Sequence, residues 1–129
     1  MTPPQTLAEI THAVTQTQVD AYAEASGDHN PLHTDAEFAG STPYGRTVAH
    51  GMLMLAFLSE MMTQAFGVAW ASGGKLKVRF RAPVFPGATI TTTGTLRGDP
   101  TNGEAVYDVA CRDQDGQDAI TGEARVSVA

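Results

Sequence analysis

At 129 residues the chain has the size of one domain, and about two-thirds of its unfolded surface can be buried, so an independent core is feasible. Hydrophobic content of 42% with 17% charged residues excludes a disordered or low-complexity protein. A net charge of −6 tilts against nucleic acid or an anionic membrane as main partner, and the single cysteine, Cys111, rules out an internal disulfide framework. The start, "MTPPQTLAEI", carries no basic n-region or apolar h-region, and the longest apolar run, "GMLMLAFL", is too short to span a bilayer. A soluble cytoplasmic protein with one domain over residues 1–129 is expected.

Along the chain, Thr17 stands where it can N-cap a short helix, "QVDAYAEAS", with Val19, Tyr22 and Ala23 at helical spacing and Gly27 as its stop. The loop "SGDHNPLHTD" follows, then one possible turn in "DAEFA" and a second loop, "GSTPYGRT". "HGMLMLAFLSEMMTQAF" is the main helix. Its first half is apolar all round, so burial on most sides is expected, and Gly67 ends it. From residue 75 the period becomes two. In "KLKVRFRAPV", Leu76, Val78 and Phe80 alternate with Lys75, Lys77, Arg79 and Arg81, giving a half-buried strand with a basic face. "ATITTTGTL" is Thr-rich and strand-prone. "NG" at 102–103 and "DG" at 115–116 turn the chain into "EAVYDVACR" and "AITGEARVSV".

One fully buried helix followed by four antiparallel strands in a meander makes an α+β fold, with the sheet wrapped around the helix. Such a single layer leaves edges that a second copy could pair or cover, so a dimer is expected.

"SGDHNPLHTD" concentrates hydrogen-bonding and ionisable groups. His29 and His33 have the i, i+4 spacing of a helical zinc pair, but Pro31 between them breaks the helix and no cysteine is near, so no metal is expected. Asp28 and His33, five residues apart across an Asn-Pro turn, can converge on a water and move its protons. Alternatively Asp28 and Asn30 only cap the turn. His29 and Asp35 are read as solvated loop residues. Gly51, in "VAHGM", opens a helix whose first N–H groups can bind a carbonyl oxygen that gains charge; equally, it is a glycine required for close packing. His50 is read as capping or orienting that turn. The methionines at 52, 54, 61 and 62 are read as core, and the basic face of residues 75–81 as a solvated face that could still meet a phosphate. No nucleophile triad and no Gly-rich phosphate loop is present, and no cofactor is expected.

"YAEASGDHNPLHTDAEFAGSTPYGRTVAHGMLMLAFLSEMM" resembles the MaoC-like hydratases, as in the (R)-specific enoyl-CoA hydratases. The family's Asp-x-Asn-Pro-x-His corresponds to Asp28, Asn30, Pro31 and His33, and its apolar residue, Ala or Val, His and Gly to Val48, Ala49, His50 and Gly51; "RFRAPVFPG" is also similar, and the likeness covers roughly residues 17 to 128. The resemblance implies a hot-dog fold, a homodimer or pseudo-dimer, and reversible syn addition of water to a trans-2-enoyl thioester of CoA or acyl-carrier protein, giving the (R)-3-hydroxyacyl thioester. It implies catalytic roles for Asp28 and His33 at the water and for the Gly51 N–H at the thioester carbonyl. Candidate substrate-binding residues are Asn30, Phe38, Tyr44, His50, Met52 and Leu53. Two departures stand out: Ala56 occupies a position where some members carry Ser, with Ser59 as a possible substitute, and Ala88 stands where many have Asp. A non-catalytic acyl-binding subunit and a hot-dog thioesterase are the alternatives.

Overall fold

The computed structural model describes residues 2–129. It opens with a strand that has no clear sequence signal, β1 (Ile10–Ala13). Helix α1 (Gln16–Ser26) begins earlier than the Thr17 cap expected: Thr15 is extended, and its Oγ1 accepts the Gln18 N–H at 3.1 Å. Gly27 ends the helix as expected, in the left-handed region at φ 77°, with its N–H on the Ala23 carbonyl. Two single-turn helices follow, α2 (Pro31–Thr34) and α3 (Ala36–Gly40).

The long helix α4 (Gly51–Phe66) lies across one face of the sheet and stops at Gly67. Leu53, Met54, Phe57, Leu58, Met61 and Met62 are buried, each contributing on the order of 1.5–3 kcal/mol by leaving water. They join Ile90, Tyr107, Val109, Cys111, Ile120 and Ala124 of the sheet in one core. The helix is not buried on all sides as its apolar first half suggests. Met52, Ala56 and Glu60, spaced by four, form an open stripe because the sheet covers only one side. A short helix, α5 (Val68–Gly73), then brings Trp70 back against α4.

The strands β2 (Lys75–Phe80), β3 (Thr89–Leu96), β4 (Glu104–Arg112) and β5 (Asp118–Ser127) are antiparallel, but they are not a four-strand meander. The order is β1-β3-β4-β5-β2. Only β3, β4 and β5 follow one another through hairpins; β2 sits at the far edge beside β5, and the segment 81–88 carries the chain past β5 and β4 to β3. The first hairpin has Asn102 at φ 55° and Gly103 at φ 73°, the two positive values that a type I′ turn requires. A helix laid across one antiparallel sheet is the hot-dog arrangement that the resemblance implies. Among the described residues no helix is long and apolar enough to cross a membrane.

Candidate functional site

The turn at 27–34 is built by short-range hydrogen bonds. Asn30 caps α2, its side-chain oxygen accepting the Leu32 N–H at 2.9 Å, and Pro31 occupies the first turn. Asp35 caps α3 by accepting the Glu37 and Phe38 N–H groups, so it is a structural residue and not a free loop carboxylate. His29 points away to Glu24, its Nδ1 3.9 Å from that carboxylate. The α2 turn is then fastened to α1: the Gln16 amide donates to the His33 carbonyl at 2.8 Å and accepts from Thr47 at 2.7 Å.

These contacts place His33 against the segment that enters α4. Its Nδ1 lies 2.6 Å from the Val48 carbonyl. A carbonyl only accepts, so Nδ1 carries the proton, and in the neutral ring Nε2 is a free acceptor. Nε2 faces the Asp28 carboxylate, 3.9 Å from Oδ2. That gap is too long for a direct hydrogen bond and close to what one water can span by donating to both acceptors. His33 is mostly covered, its side chain 14% exposed, while that of Asp28 is 55% exposed.

His50 holds the arrangement from below. It is 1% exposed, its Nε2 donates to the Asp28 backbone carbonyl at 3.0 Å, and its ring stacks on His33 at 3.8 Å and 26°. It occupies the cap position of α4 without giving the helix a side-chain bond. Its Nδ1 is buried with no partner among the described residues. Asp28, His33 and His50 thus offer three potential ligand atoms within 4.8 Å of one another. Stacked, nearly parallel imidazoles direct their in-plane lone pairs side by side, which does not suit one shared ion.

Gly51 begins α4, and the first N–H groups of a helix have no carbonyl one turn back to take them. A Cβ at this position would lie 2.6 Å from Phe80 Cε1. The packing reading of the glycine is met by this close contact, and Gly51 also lines a cavity of about 360 Å³ together with His33, Tyr44, Met54, Phe80 and Arg81. Burial of Leu53 in the core and exposure of Met52, which faces a different groove beside Trp70, separate these two from the cavity. Phe38 is exposed on α3 and is not in the cavity wall, whereas the loop "GSTPYGRT" contributes Tyr44. Ser59 does not replace the side chain missing at Ala56: its Oγ accepts the Trp70 indole N–H at 2.9 Å in that other groove. Sequence reasoning missed the stretch 80–84, which forms one wall. Its signal was Pro83, a strand breaker just past the end of β2, beside which the Val84 carbonyl accepts the Ala49 N–H at 2.7 Å and ties the segment to the entry of α4.

Residues 2–115 match the family described as MaoC like domain. Over 89 residues the chain is 42% identical to 3-hydroxyacyl-thioester dehydratase Z of Mycobacterium tuberculosis, covering 66% of this chain but only 59% of that protein. It is 33% identical over 114 residues to the (R)-specific enoyl-CoA hydratase of Aeromonas caviae, covering 86% of this chain and 84% of that one. The solved (R)-hydratase from A. caviae overlays all of this chain and 98% of its own, with a TM-score of 0.85 at 28% identity. The turn that carries Asp28 and His33, the helix start at Gly51 and these likenesses together place the chain in the MaoC-like domain family.

Proposed function

We propose that the protein is a hydratase/dehydratase that adds water reversibly across a trans-2-enoyl thioester of CoA or acyl-carrier protein, giving the (R)-3-hydroxyacyl thioester. The observation that carries this reading is the 3.9 Å pairing of His33 Nε2 with Asp28 Oδ2 in the neighbourhood of the α4 N-terminus. One water donates a hydrogen bond to His33 Nε2 and presents its other proton to Asp28. As its oxygen attacks C3, Asp28 takes that proton. The pair of electrons displaced from the C2–C3 bond moves toward the thioester oxygen, where the Gly51 N–H and the helix dipole meet the developing charge. Asp28 then returns its proton to C2 on the face the water came from, so hydrogen and hydroxyl arrive on the same side. His33, held through Nδ1 on the Val48 carbonyl, orients the water.

The names of the relatives, a 3-hydroxyacyl-thioester dehydratase and an (R)-specific enoyl-CoA hydratase, support the same reaction class. The working unit in this reading is a homodimer: the open Met52–Ala56 stripe is apolar surface that a second copy would cover. A cytoplasmic location fits the lone, buried Cys111. The test is to mix the purified protein with crotonyl-CoA and follow enoyl absorbance and free thiol together. Loss of absorbance without thiol is the expected result; thiol release without hydration would make the protein a thioesterase.

A further inference from the structure

Four of the eight basic residues, Lys75, Lys77, Arg79 and Arg81, fall within seven positions. All four are exposed, on and just beyond β2 at the sheet edge. The other arginines have partners: Arg97 with Asp108, Arg112 with Asp118 at 2.9 Å, Arg125 with Glu104 and Glu123 at 3.1 and 2.8 Å, and Arg46 with the Pro86 carbonyl at 2.6 Å. Among the described residues none of the four on the edge strand makes an ion pair. In a chain of net charge −6 they form a strip of unmatched positive charge.

The strip begins at the catalytic cavity. Arg81 lines that cavity with His33 and Gly51, and it also lines a second depression, of about 400 Å³, with Lys77, Arg79, Arg97, Asp108 and Glu123. The two carboxylates there are already held by Arg97 and Arg125. Arg81 is fixed between the two spaces: its Nε donates to Thr121 Oγ1 at 2.9 Å and its backbone N–H to the Ala119 carbonyl at 2.8 Å. From Lys75 to Arg81 an extended strand spans roughly 20 Å.

We propose that this strip is the binding site for the phosphate groups on the pantetheine arm of the thioester. The proposal rests on the hydratase reading: a thioester whose carbonyl meets the Gly51 N–H leaves the cavity past Phe80 and Arg81, and its phosphates then run onto Arg79 and Lys77. Coenzyme A and the 4′-phosphopantetheine of a carrier protein share this chemistry.

The experiment compares three substrates, crotonyl-CoA, crotonyl-4′-phosphopantetheine and phosphate-free crotonyl-pantetheine, on the full chain and on the folded double variant Lys77→Gln/Arg79→Gln. The expected result is a fall of about tenfold in the preference for phosphorylated over phosphate-free substrate, read as the ratio of kcat/KM and seen in KM rather than kcat. Arg79→Lys, which keeps the charge, restores most of the preference in the Lys77 background. Arg112→Gln removes one charge elsewhere and leaves the preference as it was. Loss for both phosphorylated substrates assigns the strip to the pantetheine phosphate; loss for crotonyl-CoA alone assigns it to the nucleotide phosphates. A preference that survives in the double variant, or an equal fall for all three substrates, overturns the proposal. Calorimetric binding of free CoA, expected to weaken about tenfold in the double variant, needs no turnover. A chain that binds CoA through the strip and hydrates nothing overturns the hydratase reading alone.

Discussion

Replacing Gly51 with Ala separates the packing role of the helix start from the catalytic role proposed for it. Gly51 is not among the residues with positive φ, so alanine fits the backbone. The new Cβ would come within 2.6 Å of Phe80 Cε1, about 1 Å inside ordinary carbon contact. Phe80 is 60% exposed and its ring can swing outward, which keeps the cost in stability to about 1 kcal/mol, and alanine's helix propensity offsets up to about 1 kcal/mol of that. The melting temperature should therefore move by no more than a few degrees. Activity should respond far more. In the proposed mechanism the methyl intrudes where the thioester oxygen would approach the first N–H groups of α4, and losing one such donor costs roughly 2.7–4 kcal/mol, or 10²–10³ in kcat. Phe80→Ala alone opens that space and should retain most of kcat, which attributes the loss to the helix start. The assay is hydration of crotonyl-CoA beside a thermal melt. A folded Gly51→Ala protein within threefold of wild-type kcat would show that the carbonyl does not bind at this N-terminus.

Asp28→Asn and His33→Gln should each lower kcat by 10²-fold or more while leaving the fold intact, and a folded variant of either that stays active removes the proposed pair. His50→Phe should keep the ring stack but lose the bond to the Asp28 carbonyl; a lost bond of about 1 kcal/mol is offset by removal of a buried, unpartnered nitrogen, so stability changes little while kcat falls as the Asp28 loop loosens. Unchanged kcat in that variant would reduce His50 to a packing residue. Burial pushes the Cys111 thiol up to about 12, so it stays protonated at neutral pH, and a thiol reagent should label it only after denaturation. Rapid labelling of the native protein would mean that the space between α4 and β4 opens readily.

The elements that the sequence made legible are those whose signals are local. Gly27 and Gly67 end their helices where a left-handed residue was expected, and Asn102-Gly103 turns the hairpin with both φ values positive. The alternation of Ala105, Tyr107, Val109 and Cys111 is buried throughout, as a one-sided strand demands. The order of the sheet was not legible. Nothing in "KLKVRF" tells whether it pairs with the strand after it or with β5, because pairing partners depend on where a long connection can reach. In the candidate site, Asp28, His33 and Gly51 stood out by residue type and spacing, while the roles proposed for them came from the family resemblance. The service of Ser59 to Trp70, the burial of Leu53 and the wall at residues 80–84 depend on how α4 is rotated against the sheet, which periodicity alone did not fix for a helix apolar on most of its first half.

The pairing of Asp28 and His33 on one water is tested most directly by hydrating crotonyl-CoA in D₂O and determining the configuration of the product by NMR and chiral analysis. The account predicts (R)-3-hydroxybutyryl-CoA carrying a single deuteron at C2 on the same face as the C3 hydroxyl. Deuterium on the opposite face, the (S) product, or release of free CoA in place of hydration would contradict it.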